Sequence, residues 1–420
     1  MNILKKLKIK EELLFPIFDV LLNGLNYFFQ IFISWYLMPA EYGSVNSLLS
    51  FLAILLVLGI SIQTYTAKNI STIDDFTNFF REIFKISFFM NLFVLLFIFI
   101  FSKNIMNFTH SKFMHIILLS SIFFANIFLS LFRGLFQGNK EFLNLNKSFY
   151  IEVISKTIFV MSFMKLYPSS DIVLLSVLVG MIFSLLFSIF KYRNFLKTAF
   201  NNFEFLNYNY IKSHFFNNLL KPTKNLVYIV LSNFFLYYFT SIDMMFANYY
   251  LPLQSGIYAV VIRYSQIIFF VSFSIITVFI PHLSSSFKVK KYFKSLFFKC
   301  FFVIVSVNLI LLLFYKFFFP MTVGMVFSKE YLEASSYLFK SAICYFLLTN
   351  SFFFINVLIS INENKYIYLL FITASALTYS YYTYGTDISK IINIGIISYG
   401  LLLFSLVLYM IPILLKKEEA

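Results

Sequence analysis

The sequence predicts an all-α polytopic membrane protein of about twelve spans, built as two six-helix bundles related by an internal pseudo-two-fold repeat. Three observations predict it. Of the 420 residues, 60% are hydrophobic and only 12% are charged, whereas a soluble domain of this size needs far more charge on its surface. The apolar stretches recur at about 20 residues, the length of helix that crosses roughly 30 Å of hydrocarbon, and open strands would leave backbone groups unpaired in lipid. Turn motifs also recur in the same order in the two halves of the chain.

The elements follow in order. Residues 1–12 are basic and precede an apolar stretch too long for a signal-peptide core and without a small-residue cleavage site. They read as a cytoplasmic lead-in, not a removed leader. The expected spans are 13–38, 44–67, 82–102, 113–136, 143–166 and 171–190 in the first half. In the second half they are 223–250, 256–283, 296–318, 332–358, 366–384 and 391–414. The longest hydrophilic stretch, 191–222, mixes Phe195, Phe200, Phe203, Tyr208 and Phe215 with Asn and Lys, as an interfacial amphipathic segment does. Lys221-Pro222 then opens the next helix with proline in its first turn. The expected organisation is 1–190 as one bundle, 191–222 as a cytoplasmic linker and 223–420 as the second bundle.

Basic residues orient the chain. With the N-terminus inside, cytoplasmic segments hold 24 of the 33 Lys and Arg residues, outside segments hold six, and Lys156, Arg263 and Lys340 fall within spans. Both termini are expected in the cytoplasm. The formal net charge of +15 therefore reflects alternate loops, not a basic face for nucleic acid.

The repeat supports the boundary between halves. Span one ends in YLMPAEYG (36–43) and span seven in YYLPLQSG (249–256), each with Pro followed four residues later by Gly. RGLFQGNKEF (133–142) leaves span four and VLISINENKYIY (357–368) leaves span ten, which aligns Asn139-Lys140 with Asn364-Lys365. Six spans per half give the halves the same orientation in the membrane, related by an axis along its normal.

No enzyme motif is present: no Gly-rich phosphate loop, no HExxH and no CxxC. The four histidines, His110, His115, His214 and His282, are scattered near span ends, and Cys300 and Cys344 are expected as two free buried thiols. Phe-rich runs such as Phe352-Phe353-Phe354 read as lipid-facing or packed helix surface. No cofactor is called for. With no nucleotide-binding domain, if the protein moves something, an ion gradient, H+ or Na+, must drive it or the substrate must run downhill.

The pattern Asn26-Tyr27, Leu37-x-Pro39-x-Glu41-Tyr42-Gly43, Arg133-Gly134, Gln137-Gly138, Asp243, Gly256-x-Tyr258 and Pro281 resembles the oligosaccharide flippases. These belong to the multidrug/oligosaccharidyl-lipid/polysaccharide (MOP) exporter superfamily and include the Wzx translocases. The resemblance covers nearly the whole chain. It implies a V-shaped pair of bundles alternating between inward- and outward-open states in the bacterial cytoplasmic membrane. The implied cargo is an undecaprenyl-pyrophosphate-linked oligosaccharide, flipped to the outer leaflet for O-antigen, capsule or exopolysaccharide synthesis. Membrane lipids, a polysaccharide polymerase and chain-length machinery are the implied partners.

A charge near mid-bilayer costs about 2.5–3.5 kcal/mol on insertion scales, so each intramembrane charge needs a partner or a cavity. Glu152 and Lys156 are four apart on span five, so either they pair or Lys156 attracts pyrophosphate while Glu152 couples an ion. Asp243 lies nine residues before Pro252, as Gln30 lies nine before Pro39. Asp243 reads either as a coupling site or as the partner of Arg263 on span eight, and Arg263 otherwise as a substrate cation. Asp19, Asn23 and Asn26 form a polar stripe on span one, with Asp19 an ion-coupling candidate and Asn26 and Gln30 substrate contacts. Arg133, at the cytoplasmic end of span four, either meets the anionic head group or reaches lipid phosphates.

Two other functions compete. A multidrug or organic-cation antiporter of the same superfamily would want a net acidic cavity, whereas Lys156 and Arg263 favour an anion. A membrane glycosyltransferase or polysaccharide polymerase usually needs an extended loop, and the longest outside loop expected here is 319–331. A lipid II flippase of the superfamily typically has two further C-terminal spans, and this chain stops soon after span twelve.

Overall fold

Over their described residues the expected spans are mainly helical. The computed structural model describes residues 21–70, 76–201, 224–287 and 289–415, and no strand occurs among them. The helices are α1 (21–34), α2 (Pro39–Ile70), α3 (Phe76–Ile100), α4 (Ser102–Thr109), α5 (Phe113–Gly138), α6 (Phe142–Phe163), α7 (Ser170–Lys191) and α8 (Arg193–Phe200). There follow α9 (Lys224–Phe239), α10 (Ile242–Tyr250), α11 (Ser255–Ser286), α12 (Lys290–Phe317), α13 (Phe319–Val326), a 3-10 segment (Lys329–Ser336), α14 (Leu338–Ser360), α15 (Ile367–Tyr384) and α16 (Ile388–Leu415). Eight of them, α2, α3, α5, α7, α11, α12, α14 and α16, are long and apolar enough to cross a membrane. The chain is a multi-pass membrane protein.

Two expectations about elements are corrected. Span seven is not one helix: α9 ends at Phe239, Thr240 turns its hydroxyl back to the Leu236 carbonyl, and α10 starts at Ile242. A hydroxyl bonded to its own preceding turn competes with the backbone ladder. The expected outside loop 319–331 is also largely helical, forming α13 and the start of the 3-10 segment.

The described residues of Met1–Leu37 and Phe51–Leu226 form one compact unit. One close seam joins α2 and α5. A β-carbon on Gly134 would lie 2.8 Å from the Gln63 carbonyl oxygen, and one on Gly138 3.0 Å from that of Ala67. The Gly-x-x-x-Gly spacing on α5 is thus the small-residue face that lets two membrane helices touch through their backbones. At the start of α5, His115 Nδ1 accepts from the Lys112 amide at 3.3 Å, while Nε2 meets Ser170 Oγ at 3.0 Å and Asp171 at 3.1 Å. At the other end of α5, the Tyr192 hydroxyl accepts from Asn139 and donates to Glu141 at 3.5 Å. Burial raises the Tyr192 hydroxyl above its ordinary pKa, which keeps it a donor.

The described residues of Met38–Ser50 and Val227–Ala420 form the second unit, so the first turns of α2 pack there and the rest of α2 in the first. Its core joins α11, α14 and α16. Ser265 donates to Ser341 at 2.7 Å and Ser272 to Asn308 at 2.6 Å. The Phe352-Phe353-Phe354 run is packed surface: all three are buried, against Phe269, Phe297 and Phe301. Cys300 and Cys344 are free and buried, as expected.

The repeated turn is present in both units with a shifted register. Lys140 and Asn362 each have φ 58°. Glu141 N donates to Phe136 O at 2.8 Å, and Glu363 N to Leu358 O at 3.0 Å. Lys140 therefore matches Asn362, not Lys365. A left-handed residue closes the helix end in both, and asparagine tolerates that conformation well.

Candidate functional site

In the first unit, α1 and α6 bring the polar candidates together. Lys156 Nζ donates to Asn26 Oδ1 at 2.6 Å and lies 4.8 Å above the ring of buried Phe29. Gln30, one turn along α1, keeps its Oε1 buried with no hydrogen-bond donor. Asp19 lies outside the described residues.

The expected Glu152–Lys156 pair does not form. Glu152 Oε2 instead accepts from Arg133 Nη2 at 2.6 Å. Arg133 is enclosed by protein: it is 5% exposed, donates from Nε to Ser148 Oγ at 3.0 Å, and lies 3.9 Å over the Phe149 ring. Ser148 and Ser184 complete the network by bonding each other across α6 and α7. The planar guanidinium fork matches a carboxylate, and an enclosed ion pair keeps both charges compensated. Gly180 allows this approach, since a β-carbon there would lie 2.5 Å from the Glu152 carbonyl oxygen.

In the second unit the break in span seven places Asp243 in the first turn of α10, where a helix N-terminus favours negative charge. Its Oδ1 accepts from the Met244 amide at 2.8 Å and its Oδ2 from the Tyr258 hydroxyl at 3.0 Å. Cys344, Tyr345, Tyr381 and Tyr399 stand within its electrostatic reach. The expected alternative, an Asp243–Arg263 pair, is not formed.

Arg263, on α11, donates from Nη2 to Asn46 Oδ1 at 2.6 Å and from Nη1 to Gln266 Oε1 at 3.0 Å. Asn46 is itself fixed, since its Nδ2 donates to the Tyr42 carbonyl at 2.8 Å. Among the described residues neither Asp243 nor Arg263 makes an ion pair. Among its described residues the unit therefore holds one buried carboxylate and one guanidinium, each met only by neutral groups.

Sequence reasoning missed Asn46, Gln266 and the pairing role of Tyr258. The signals were present: Asn46 and Gln266 are amides inside otherwise apolar helices. Which helix each would face is a tertiary matter.

No family model matches the chain, and no curated protein matches it by sequence. Solved structures do. An inward-facing multidrug resistance MATE family transporter of the MOP superfamily matches at TM-score 0.72 and 12% identity, over 94% of this chain and 96% of that one. The lipid II flippase MurJ in an inward closed conformation matches at 0.73 and 13%, over 95% and 87%. A MOP superfamily transporter from Pyrococcus furiosus, described as having a binding pocket of reverse polarity that suggests a different function, matches at 0.61 and 13%, over 98% and 97%. The chain has the all-helical, multi-pass fold shared by the MATE transporters of the MOP superfamily and the lipid II flippase MurJ.

Proposed function

We propose that the protein is a flippase for lipid-linked oligosaccharides carried on undecaprenyl pyrophosphate, moving surface-polysaccharide precursors to the outer leaflet by alternating access with H+ or Na+ coupling. One observation carries this reading: the Arg263 guanidinium, inside a membrane helix, is held by Asn46 and Gln266 and by no carboxylate among the described residues. Amide acceptors orient a guanidinium without cancelling its charge, which suits an anionic cargo and opposes an organic cation. In the first unit the Lys156 ammonium donates to Asn26. Asp243 is the proposed coupling group, because its neutral partner Tyr258 leaves its proton exchangeable.

The multidrug antiporter reading draws support from the similarity to MATE transporters. Proteoliposomes separate the two. Flipping of a fluorescent polyprenyl-pyrophosphate sugar, with no efflux of a cationic dye, is the expected result. Dye efflux without flipping would overturn the reading. In cells, gene deletion should remove surface glycan and accumulate cytoplasm-facing lipid-linked units.

A further inference from the structure

The end of α7 and the short helix α8 carry two chemically distinct faces. The inner face is committed to protein. Phe195 lies 4.6 Å from Phe76 and 5.1 Å from Phe80, Ala199 is fully buried, and Phe200, at the edge of this face and partly exposed, lies 5.1 Å from Phe84. Arg81, reaching from α3, donates from Nε to the Ala199 carbonyl at 2.6 Å and from Nη2 to that of Asn201 at 2.9 Å. These bonds satisfy carbonyls that a helix end leaves orphaned. An isolated amphipathic helix would insert the same aromatics into lipid. Here they bind α8 to the first unit, so α8 is a fixed platform.

The outer face is basic. Arg193 and Lys197, four residues apart and so on one side of α8, are exposed, as is Lys191 at the end of α7. None of the three makes an ion pair among the described residues. Instead, Arg193 lies 4.8 Å over the Phe190 ring and Lys191 6.0 Å over that of Phe187. The apolar surface continues directly from these cations along α7, through Phe190 (60% exposed), Leu186 (56%) and Phe183 (54%). Those residues recur at helical spacing, so they form one stripe below the charges.

We propose that this surface docks anionic phospholipid, with Lys191, Arg193 and Lys197 gripping the headgroup phosphate and the Phe183–Leu186–Phe190 stripe receiving an acyl chain. A nucleic acid or an acidic protein would satisfy the cations and leave the stripe bare. Only a ligand with an anionic head and an apolar tail matches both faces. The inference is independent of the transported cargo.

The test uses the full-length protein in nanodiscs of phosphatidylcholine with a minor share of phosphatidylglycerol, extracted and read by native mass spectrometry for retained lipid. The wild-type protein should retain phosphatidylglycerol preferentially, and raised salt should release it. R193Q/K197Q should lose that preference by about fivefold per charge removed. R193K/K197R should keep it, and K316Q, which removes an exposed charge elsewhere, should not change it. An unchanged preference in R193Q/K197Q, or a salt-insensitive preference in the wild-type protein, overturns the proposal. So does displacement of the lipid by inorganic phosphate, which would make the cluster a free-anion site.

Discussion

Gly43 and Gly256, matching positions of the internal repeat, meet so closely that a β-carbon on Gly43 would lie 2.5 Å from the Gly256 amide nitrogen. A β-carbon on Gly256 would lie 2.1 Å from the Pro39 carbonyl oxygen. Both obstacles are backbone and cannot rotate away. Gly256→Ala should therefore lower stability by about 1–3 kcal/mol, the usual cost of overpacking, seen as a lower unfolding temperature in detergent. A variant as stable as wild type would show that α2 and α11 part without cost.

Arg263→Gln should reduce flipping of a pyrophosphate-linked lipid by about tenfold or more, the worth of one or two charge-assisted hydrogen bonds. Arg263→Lys should recover part of the rate, since an ammonium keeps the charge and loses the fork. Asn46→Leu should also slow transport, because it removes the acceptor that orients the guanidinium. Rates are read in proteoliposomes, with protein content held equal. Normal flipping by Arg263→Gln would remove the anion argument.

Asp243→Asn preserves an acceptor for Tyr258 and removes the exchangeable proton. The expected protein folds as wild type and no longer responds to an imposed H+ or Na+ gradient. Retained gradient stimulation would exclude Asp243 as the coupling group.

Arg133 and Glu152 give the opposite expectation. Removing one partner of a buried ion pair strands the other, so Arg133→Met should cost about 3–5 kcal/mol. The double variant R133M/E152L should recover most of that loss. Unfolding midpoints of the single and double variants measure the difference, and equal losses in both would deny the pair its structural role.

Single introduced cysteines test the orientation, since the native thiols Cys300 and Cys344 are buried. Lys197→Cys should react with an impermeant maleimide only after permeabilisation, and Lys316→Cys in intact cells. The reverse pattern would invert the topology.

Several features were legible because they depend on sums along the chain. The helical, multi-pass character follows from hydropathy. The close approach at Gly43 and Gly256 left a trace in the Pro-x-x-x-Gly repeat, because only glycine tolerates such contact. The repeated turn was legible as a motif and misplaced by three residues, since matching Asn-Lys pairs by letter ignores which residue takes the left-handed conformation.

The side-chain partners were not legible. Glu152 has Lys156 one turn away on its own helix, and sequence spacing alone favours that pair. It turns to Arg133 on α5 because packing of α5, α6 and α7 leaves that guanidinium enclosed. Asp243 and Arg263 carry opposite charges on adjacent spans and still do not meet. The break at Thr240 and Ser241 sets the height and direction of Asp243, and the first turns of α2 supply Asn46 to Arg263. By itself the sequence determined that the chain is helical, multi-pass and internally repeated, because hydrophobicity, charge bias and backbone hydrogen bonding are summed over whole segments. Only the tertiary structure decided which buried charges pair with each other and which are met by neutral groups, because that depends on ångström-scale contacts between helices far apart in the chain.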